Sequence, residues 1–336
     1  MLFPPLRNGL RLGLGGAPLG NLFTAIADGD AQAVLSAAQQ DGCRTFDTAP
    51  HYGHGLSEHR IGRALRQHNR DGFALSSKVG RLLHPDATAA RDQHGYVDVL
   101  QFNQRWDYSA AGVRRSVHDS LQRLGLARLD TVYVHDCDAG VHGPAYPQRL
   151  RQVLDEALPE LQRLRTEGLV RHIGLGVNDV QVCLDVLAHA DLDALLLAGR
   201  YSLIDQTALP ALLPLCVQRG VRIALGGVFN SGILATGVRG ATAARFDYTA
   251  AAQVWVDKVA AIETVCDAFG VPLRAAALQF PLAHPAIEVV VVGAQTVVHW
   301  RDAVAMMGHP IEAGFWQTLR AQGLIGADAP SPSPPA

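Results

Sequence analysis

Charge of one sign is missing from this chain: 29 Lys and Arg stand against 31 Asp and Glu over 336 residues, a net charge of -2, with no block of like charges. That balance gives no electrostatic footprint for nucleic acid or an anionic membrane and leaves a small molecule as the expected partner. Long apolar runs are missing too, since none reaches the ~20 residues that a membrane helix needs. The opening MLFPPLRNGL is too short and too broken by proline for a signal h-region, so a cytoplasmic location is expected. Cysteine is sparse. Cys43, Cys137, Cys183, Cys216 and Cys266 are odd in number, scattered and without a CxxC pair, which removes the usual redox and zinc spacings and predicts buried, reduced thiols.

What the chain does have is rhythm. Short apolar runs near 11–16, 43–48, 73–79, 129–135, 171–177, 194–199, 221–226 and 287–292 read as eight strands. Between them lie segments of helical period such as GVRRSVHDSLQRLG and AAQVWVDKVAAIETVCDAFG, and Gly125, Gly168, Gly220 and Gly270 fall where such helices should stop. Eight alternating units predict an α/β fold of the (β/α)8 TIM-barrel type, one domain over 1–322, followed by a disordered tail over 323–336 ending in PSPSPPA. Two connections exceed the usual ~2–6 residues: 80–108 after the third strand, and VFNSGILATGVRGATAARFDY after the seventh. Loops after barrel strands build the active-site face, so the first is a candidate substrate loop and the second a candidate lid or cofactor strap.

Four polar residues stand at or just past strand ends: Asp47 and Tyr52 in TFDTAPHYG, Lys78 in FALSSKVG and His135 in LDTVYVHD. An ammonium closing an apolar strand needs a carboxylate, and Asp47 is the obvious one. Beside that positive charge the Tyr52 phenol is expected to have its pKa drawn down from ~10, towards use as an acid or base. His51, His54 and His59, with His135, Asp136 and Cys137 elsewhere at the mouth, suggest a metal site, but their spacing matches no known ligand pattern and none is expected. The run LGLGGAPLG is a tight turn rather than a dinucleotide fingerprint, because Pro18 stands where the third glycine would be.

The motif FDTAPHYGHGLSEHRIGRAL, followed by the strand-three lysine and strand-four histidine, resembles the aldo-keto reductase family from LGLGG through VVVGAQT. The resemblance implies that Asp47, Tyr52, Lys78 and His135 form a catalytic tetrad beside a nicotinamide cofactor. LGLGGAPLGNL, WDYSAAGVRRSVHDSLQRLGL and GGVFNSGIL are similar to its aldose 1-dehydrogenase branch, which implies oxidation of an aldose such as L-fucose, L-galactose or D-arabinose at C1 to the lactone. Pyridoxal oxidation, an NADPH-dependent aldehyde reductase and a cofactor-sensing binding protein are the alternatives. By the same resemblance Asn178, Phe229, Ser231, Gly293, Ala294, His299 and Asp302 contact the cofactor, with Asn178 on the carboxamide, Ser231 on the pyrophosphate and Asp302 near the adenine. Val177 and Ala198 stand where many members have Ser and Gln, and Gly226 replaces a stacking aromatic. In VGAQTVVHWRDA, Gly293 and His299 stand where many NADP-using members of the family place basic residues for a 2′-phosphate, and the resemblance thus favours NAD with NADP tolerated. Trp106 and Tyr108 are candidates to wall the substrate together with His135, and Asn103, Gln104 and Asp107 to bind its hydroxyls.

Overall fold

The computed structural model describes residues 1–240 and 244–332. Eight parallel strands close a barrel in chain order: β1 Leu12–Gly15, β2 Thr45–Asp47, β3 Ala74–Val79, β4 Leu129–His135, β5 Val170–Val177, β6 Ala194–Ala198, β7 Arg222–Gly226 and β8 Ile287–Gly293, with β8 pairing back onto β1. All eight fall where the apolar runs placed them. The (β/α)8 architecture follows, with helices such as Asp28–Gln40, Ala110–Leu124 and Gln253–Phe269 outside.

The alternation of side chains along each strand divides the core in two. Val290 and Val292 of β8, with Leu195 and Leu197 of β6, join the large cluster between strands and helices, whereas Val289, Val291, Leu196 and Ala224 point into the barrel with Tyr133. Phe3 belongs to this inner cluster, so the N-terminal segment stops the floor of the barrel; Thr45 Oγ1 donates to Pro4 O (2.8 Å) and Phe3 N to Glu288 Oε1 (3.1 Å).

The same parity decides what reaches the mouth. Phe46, Leu75, Val132 and Val134 pack outward, leaving Asp47, Lys78, Tyr133 and His135 on the inward set. Room for them comes from β5, whose inward positions are Gly174 and Gly176. A Cβ on Gly176 would lie 3.2 Å from Tyr133 Cβ and 3.4 Å from Lys78 Cε, close enough to press on the lysine stem.

Two expectations need correction. Residues 80–108 are not plain loop: Arg81–Pro85 and Phe102–Trp106 pair as an antiparallel hairpin, giving the long insertion hydrogen bonds of its own. Nor does the tail begin at 323. Leu324, Ile325 and Ala329 are buried, Gly326 N donates to Gln206 Oε1 (2.7 Å) and Arg320 Nη2 to Ala329 O (2.8 Å), because Leu324 and Ile325 provide an apolar pair to dock. The stretch 333–336 lies outside the described residues. All five cysteines are buried as free thiols, and no helix among the described residues is long and apolar enough to cross a membrane.

Candidate active site

Asp47 and Lys78 meet at the top of β2 and β3. Lys78 Nζ donates to Asp47 Oδ2 (2.8 Å) and to Thr48 O (2.8 Å), while Ser76 Oγ donates to Asp47 Oδ1 (2.6 Å), and both charged side chains are buried. The ammonium is thereby held by a carboxylate and a carbonyl, as a buried charge requires. Its Nζ lies 4.6 Å from the centroid of the Tyr52 ring, a cation facing an aromatic.

Tyr52 is set by the turn after β1. A Cβ on Gly20 would come within 2.4 Å of Tyr52 C, and one on Gly53 within 2.4 Å of Gly20 O, so the two backbones cross where only glycine fits. Gly20, the last glycine of LGLGGAPLG, thus serves this close approach. The Tyr52 ring packs beside Tyr96 (6.0 Å between centroids, 26° between planes) and edge-on to His135 (6.2 Å, 84°), and its hydroxyl has no partner among the described residues.

The expected fall in the Tyr52 pKa is not what this environment produces. Burial pushes the phenol well above its ordinary value and the Asp47 carboxylate pushes it further, because the positive charge of Lys78 is already engaged by Asp47. His135 moves the other way: burial, then the positive charges of Lys78 and Arg81, hold it well below the usual imidazole range. His51 is lowered for similar reasons, first by burial and then by Arg81. The site therefore rests as a neutral phenol among neutral imidazoles.

These lowered values predict acid lability. Unfolded histidines take up protons below about pH 6.5, which folded His51 and His135 refuse, so the stabilisation is intact above that pH and erodes as pH falls towards their folded values. We expect a loss on the order of 2–3 kcal/mol between pH 7.5 and 5.5 in urea unfolding, reduced in His51→Phe. An equal midpoint at both pH values would refute it.

A family model for the aldo/keto reductases matches residues 11–322. The chain belongs to this family. The aldo/keto reductase described here is 40% identical to pyridoxal 4-dehydrogenase of Microbacterium luteolum and 38% identical to D-threo-aldose 1-dehydrogenase of a Pseudomonas species, each over 94% of both chains. Among solved structures, an aldo-keto reductase from Bacillus halodurans superposes with a TM-score of 0.72 at 22% identity, over 95% of this chain and 93% of that one. The protein is accordingly an oxidoreductase that works with NAD(P)H.

A cavity of about 1050 Å³ opens over the tetrad and is large enough for a dinucleotide and a small substrate together. Asp47, Tyr52, Lys78 and His135 line its deep end, and Asn178, Phe229 and Ser231 line it together with Gly293. The site fits a nicotinamide dinucleotide. Gly15, Gly176 and Gly226 leave open floor at the strand ends, where a Cβ on Gly226 would meet only Ala198 within 4 Å. Val177 and Ala198 also line the cavity. The Asn178 amide oxygen accepts no hydrogen bond among the described residues and is available to a carboxamide. Ala294, His299 and Asp302 are not brought into this cavity: Ala294 is buried, and His299 and Asp302 sit on the helix Val297–Met307. The Asp302 carboxylate is taken by Arg274 (2.8 and 3.1 Å).

Trp106 and Tyr108 do not wall the cavity. The hairpin turns Trp106 onto Arg81 (3.9 Å to the ring) and His142, while Tyr108 is fully buried and donates its hydroxyl to His135 O (2.7 Å), fixing the histidine from behind. Asn103 bonds Asp86 and Asp107 caps a turn at Ser109, leaving Gln104 as the one of the three that touches a cavity residue, His51. Two of the candidate metal histidines are dispersed as well: His54 binds Phe102 O, His59 is exposed on the helix Leu56–Leu65, and no cluster among the described residues is arranged to hold a metal.

The walls come instead from residues that carry no period. Phe23, His51, His94, Tyr96 and Tyr248 surround the mouth. Tyr248 tips the hairpin Arg245–Phe246 and Thr249–Ala250, with Asp247 and Tyr248 both at positive φ. Arg200 holds it through Asp247 (2.8 and 3.0 Å), and Tyr248 N donates to Ser231 Oγ (2.8 Å). The segment after the seventh strand in which a lid or cofactor strap is expected runs into this hairpin, and its residues 241–243 lie outside the described residues.

Proposed function

We propose that the enzyme oxidises an aldose at its anomeric carbon to the lactone, with NAD as the preferred acceptor. The observation that carries this reading is a free, half-buried phenol beside a carboxylate-held ammonium and a neutral imidazole, under a mouth that offers both aromatic faces and hydrogen-bonding groups. Bound oxidised nicotinamide supplies the hydride acceptor. The protein supplies the proton path and the geometry. Tyr52 acts as the phenolate, to which Lys78 offers positive charge; its Oη takes the proton of the C1 hydroxyl and becomes the phenol, and Asp47 with Thr48 O keeps that ammonium in place. His135, neutral and fixed through Tyr108, orients the same hydroxyl. Phe23 and Tyr248 give the sugar ring an apolar side.

The preference for NAD rests on Gly293 and His299, which offer no fixed cation for a 2′-phosphate, and on Asp302, whose carboxylate engages the nearby Arg274. A second reading, oxidation of pyridoxal through its internal hemiacetal, is favoured by the aromatic mouth and by the relative that carries that name.

The test is formation of reduced nicotinamide by the purified protein with NAD or NADP and a panel of L-fucose, L-galactose, D-arabinose and pyridoxal. Turnover of an aldose, faster with NAD, is the expected result. Turnover of pyridoxal alone would replace the first reading with the second, and a higher kcat/KM with NADP would overturn the cofactor preference.

A further inference from the structure

His51 stands beside the tetrad without belonging to it. Its ring centroid lies 5.7 Å from that of His135, 6.1 Å from that of Tyr52 and 5.1 Å from that of Tyr96, and it lines the cavity. Nδ1 lies 2.9 Å from Gln104 Oε1, and the identity of that oxygen is fixed independently. Arg81 Nη1 also points at it (3.3 Å), and a guanidinium can only donate; the other end of the same amide, Nε2, donates to His51 O (3.4 Å). Gln104 is itself held in register opposite Leu83 in the hairpin, and Arg81 is anchored by Asp136 (2.6 Å) and stacked on Trp106.

The protonation of His51 follows from this chain of contacts. An amide oxygen accepts, so Nδ1 carries the hydrogen, and in a neutral ring Nε2 is then a bare acceptor. A second proton is opposed by burial and by the positive Arg81. Nε2 has no partner among the described residues. The mouth therefore presents a lone pair of set tautomer on a ring about 6 Å, centroid to centroid, from those of Tyr52 and His135, and its complement on a substrate is a hydroxyl hydrogen. When C1–OH is held between Tyr52 and His135, the oxygen on the adjacent carbon lies about 3 Å further on, a hydrogen-bond length from a ring placed as His51 is.

We infer that His51 is a specificity residue that accepts a hydrogen bond from the hydroxyl on the carbon next to the reacting one, with Gln104 as the positioning residue that sets its tautomer. The substrate class so selected is the 2-hydroxy aldehyde and its cyclic hemiacetal, in preference to aldehydes without that hydroxyl. This rests on the aldose reading above and deepens it.

The experiment compares kcat/KM for D-arabinose and for 2-deoxy-D-ribose, which is D-arabinose without its C2 hydroxyl, in the wild type and in His51→Phe. Phenylalanine keeps a ring against Tyr96 and removes the lone pair. A wild-type preference for D-arabinose on the order of tenfold or more, falling to about twofold in His51→Phe, is expected. Gln104→Leu should lower the preference as well, and Gln104→Glu, which still accepts from Nδ1, should restore it near neutral pH; this pair carries the test if His51→Phe does not fold. A preference absent from the wild type, or undiminished in His51→Phe and Gln104→Leu, overturns the assignment while leaving aldose oxidation standing. Oxidation of pyridoxal with neither sugar turned over overturns the aldose reading, and this inference with it.

Discussion

Tyr52→Phe is expected to lose roughly 10²–10⁴-fold in kcat for oxidation, the usual contribution of a positioned general base, while cofactor affinity is kept. The substitution removes one oxygen and leaves the ring against Tyr96 and under Lys78 Nζ, so packing offers no alternative cause. Rapid single-turnover measurements with NAD bound would report the chemical step directly. A variant within about tenfold of wild type would remove Tyr52 from proton transfer. The raised phenol pKa adds a pH signature. Below that pKa the phenolate fraction grows about tenfold per pH unit, so kcat/KM for oxidation should climb steadily through the alkaline range without levelling near neutrality. Reduction, which needs the phenol protonated, should stay flat over the same interval. An oxidation profile that levels off near pH 7 would mean that the occupied site lowers the phenol's pKa.

The second large effect is on stability. Asp47→Ala leaves the Lys78 ammonium buried with Thr48 O alone, and removes the acceptor of Ser76 Oγ. Breaking one half of a buried pair costs about 3–5 kcal/mol, which should show as a lower urea midpoint with an unchanged slope. Replacing both partners, Asp47→Ala with Lys78→Met, should cost less than the sum of the two single changes, because neither charge is then left alone. Additive losses would mean that the pair is not coupled as its 2.8 Å contact implies. The double variant should be inactive, since it removes the charge held against the Tyr52 ring, and Asp47→Ala should be impaired, since it removes the carboxylate that holds that charge in place.

Much of this was legible in the chain, for physical reasons that also explain what was not. A strand buried on both faces must be apolar throughout, so Asp47, Lys78 and His135 stand out at strand ends as exceptions that need a partner or a task. Their parity on the inward face follows from the two-residue repeat. Loops carry no such repeat. Tyr96 reaches the mouth through isolated bridges to Leu22 and Gln93, and Tyr248 through a two-residue turn held by Arg200, and neither leaves a mark in hydropathy. Trp106 and Tyr108 are illegible for the same reason: they are aromatic and lie in the right insertion, but the hairpin register sets Trp106 on Arg81, and Tyr108, just past the hairpin, is buried behind His135. Proximity to Lys78 alone would lower the phenol's pKa, but the Asp47 carboxylate already neutralises that ammonium, a pairing that sequence spacing does not weigh.

The five thiols give this barrel an internal clock. Cys43 and Cys137 flank strands, whereas Cys183, Cys216 and Cys266 ride on three different helices, and burial pushes Cys43, Cys216 and Cys266 up to about 12. A thiol reagent added to the native enzyme can react only when the local structure opens, so each cysteine reports the opening rate of its own sector of the ring. Mass mapping of the labelled positions over time would show whether the staves come apart together or one helix peels away first, with no engineered probe.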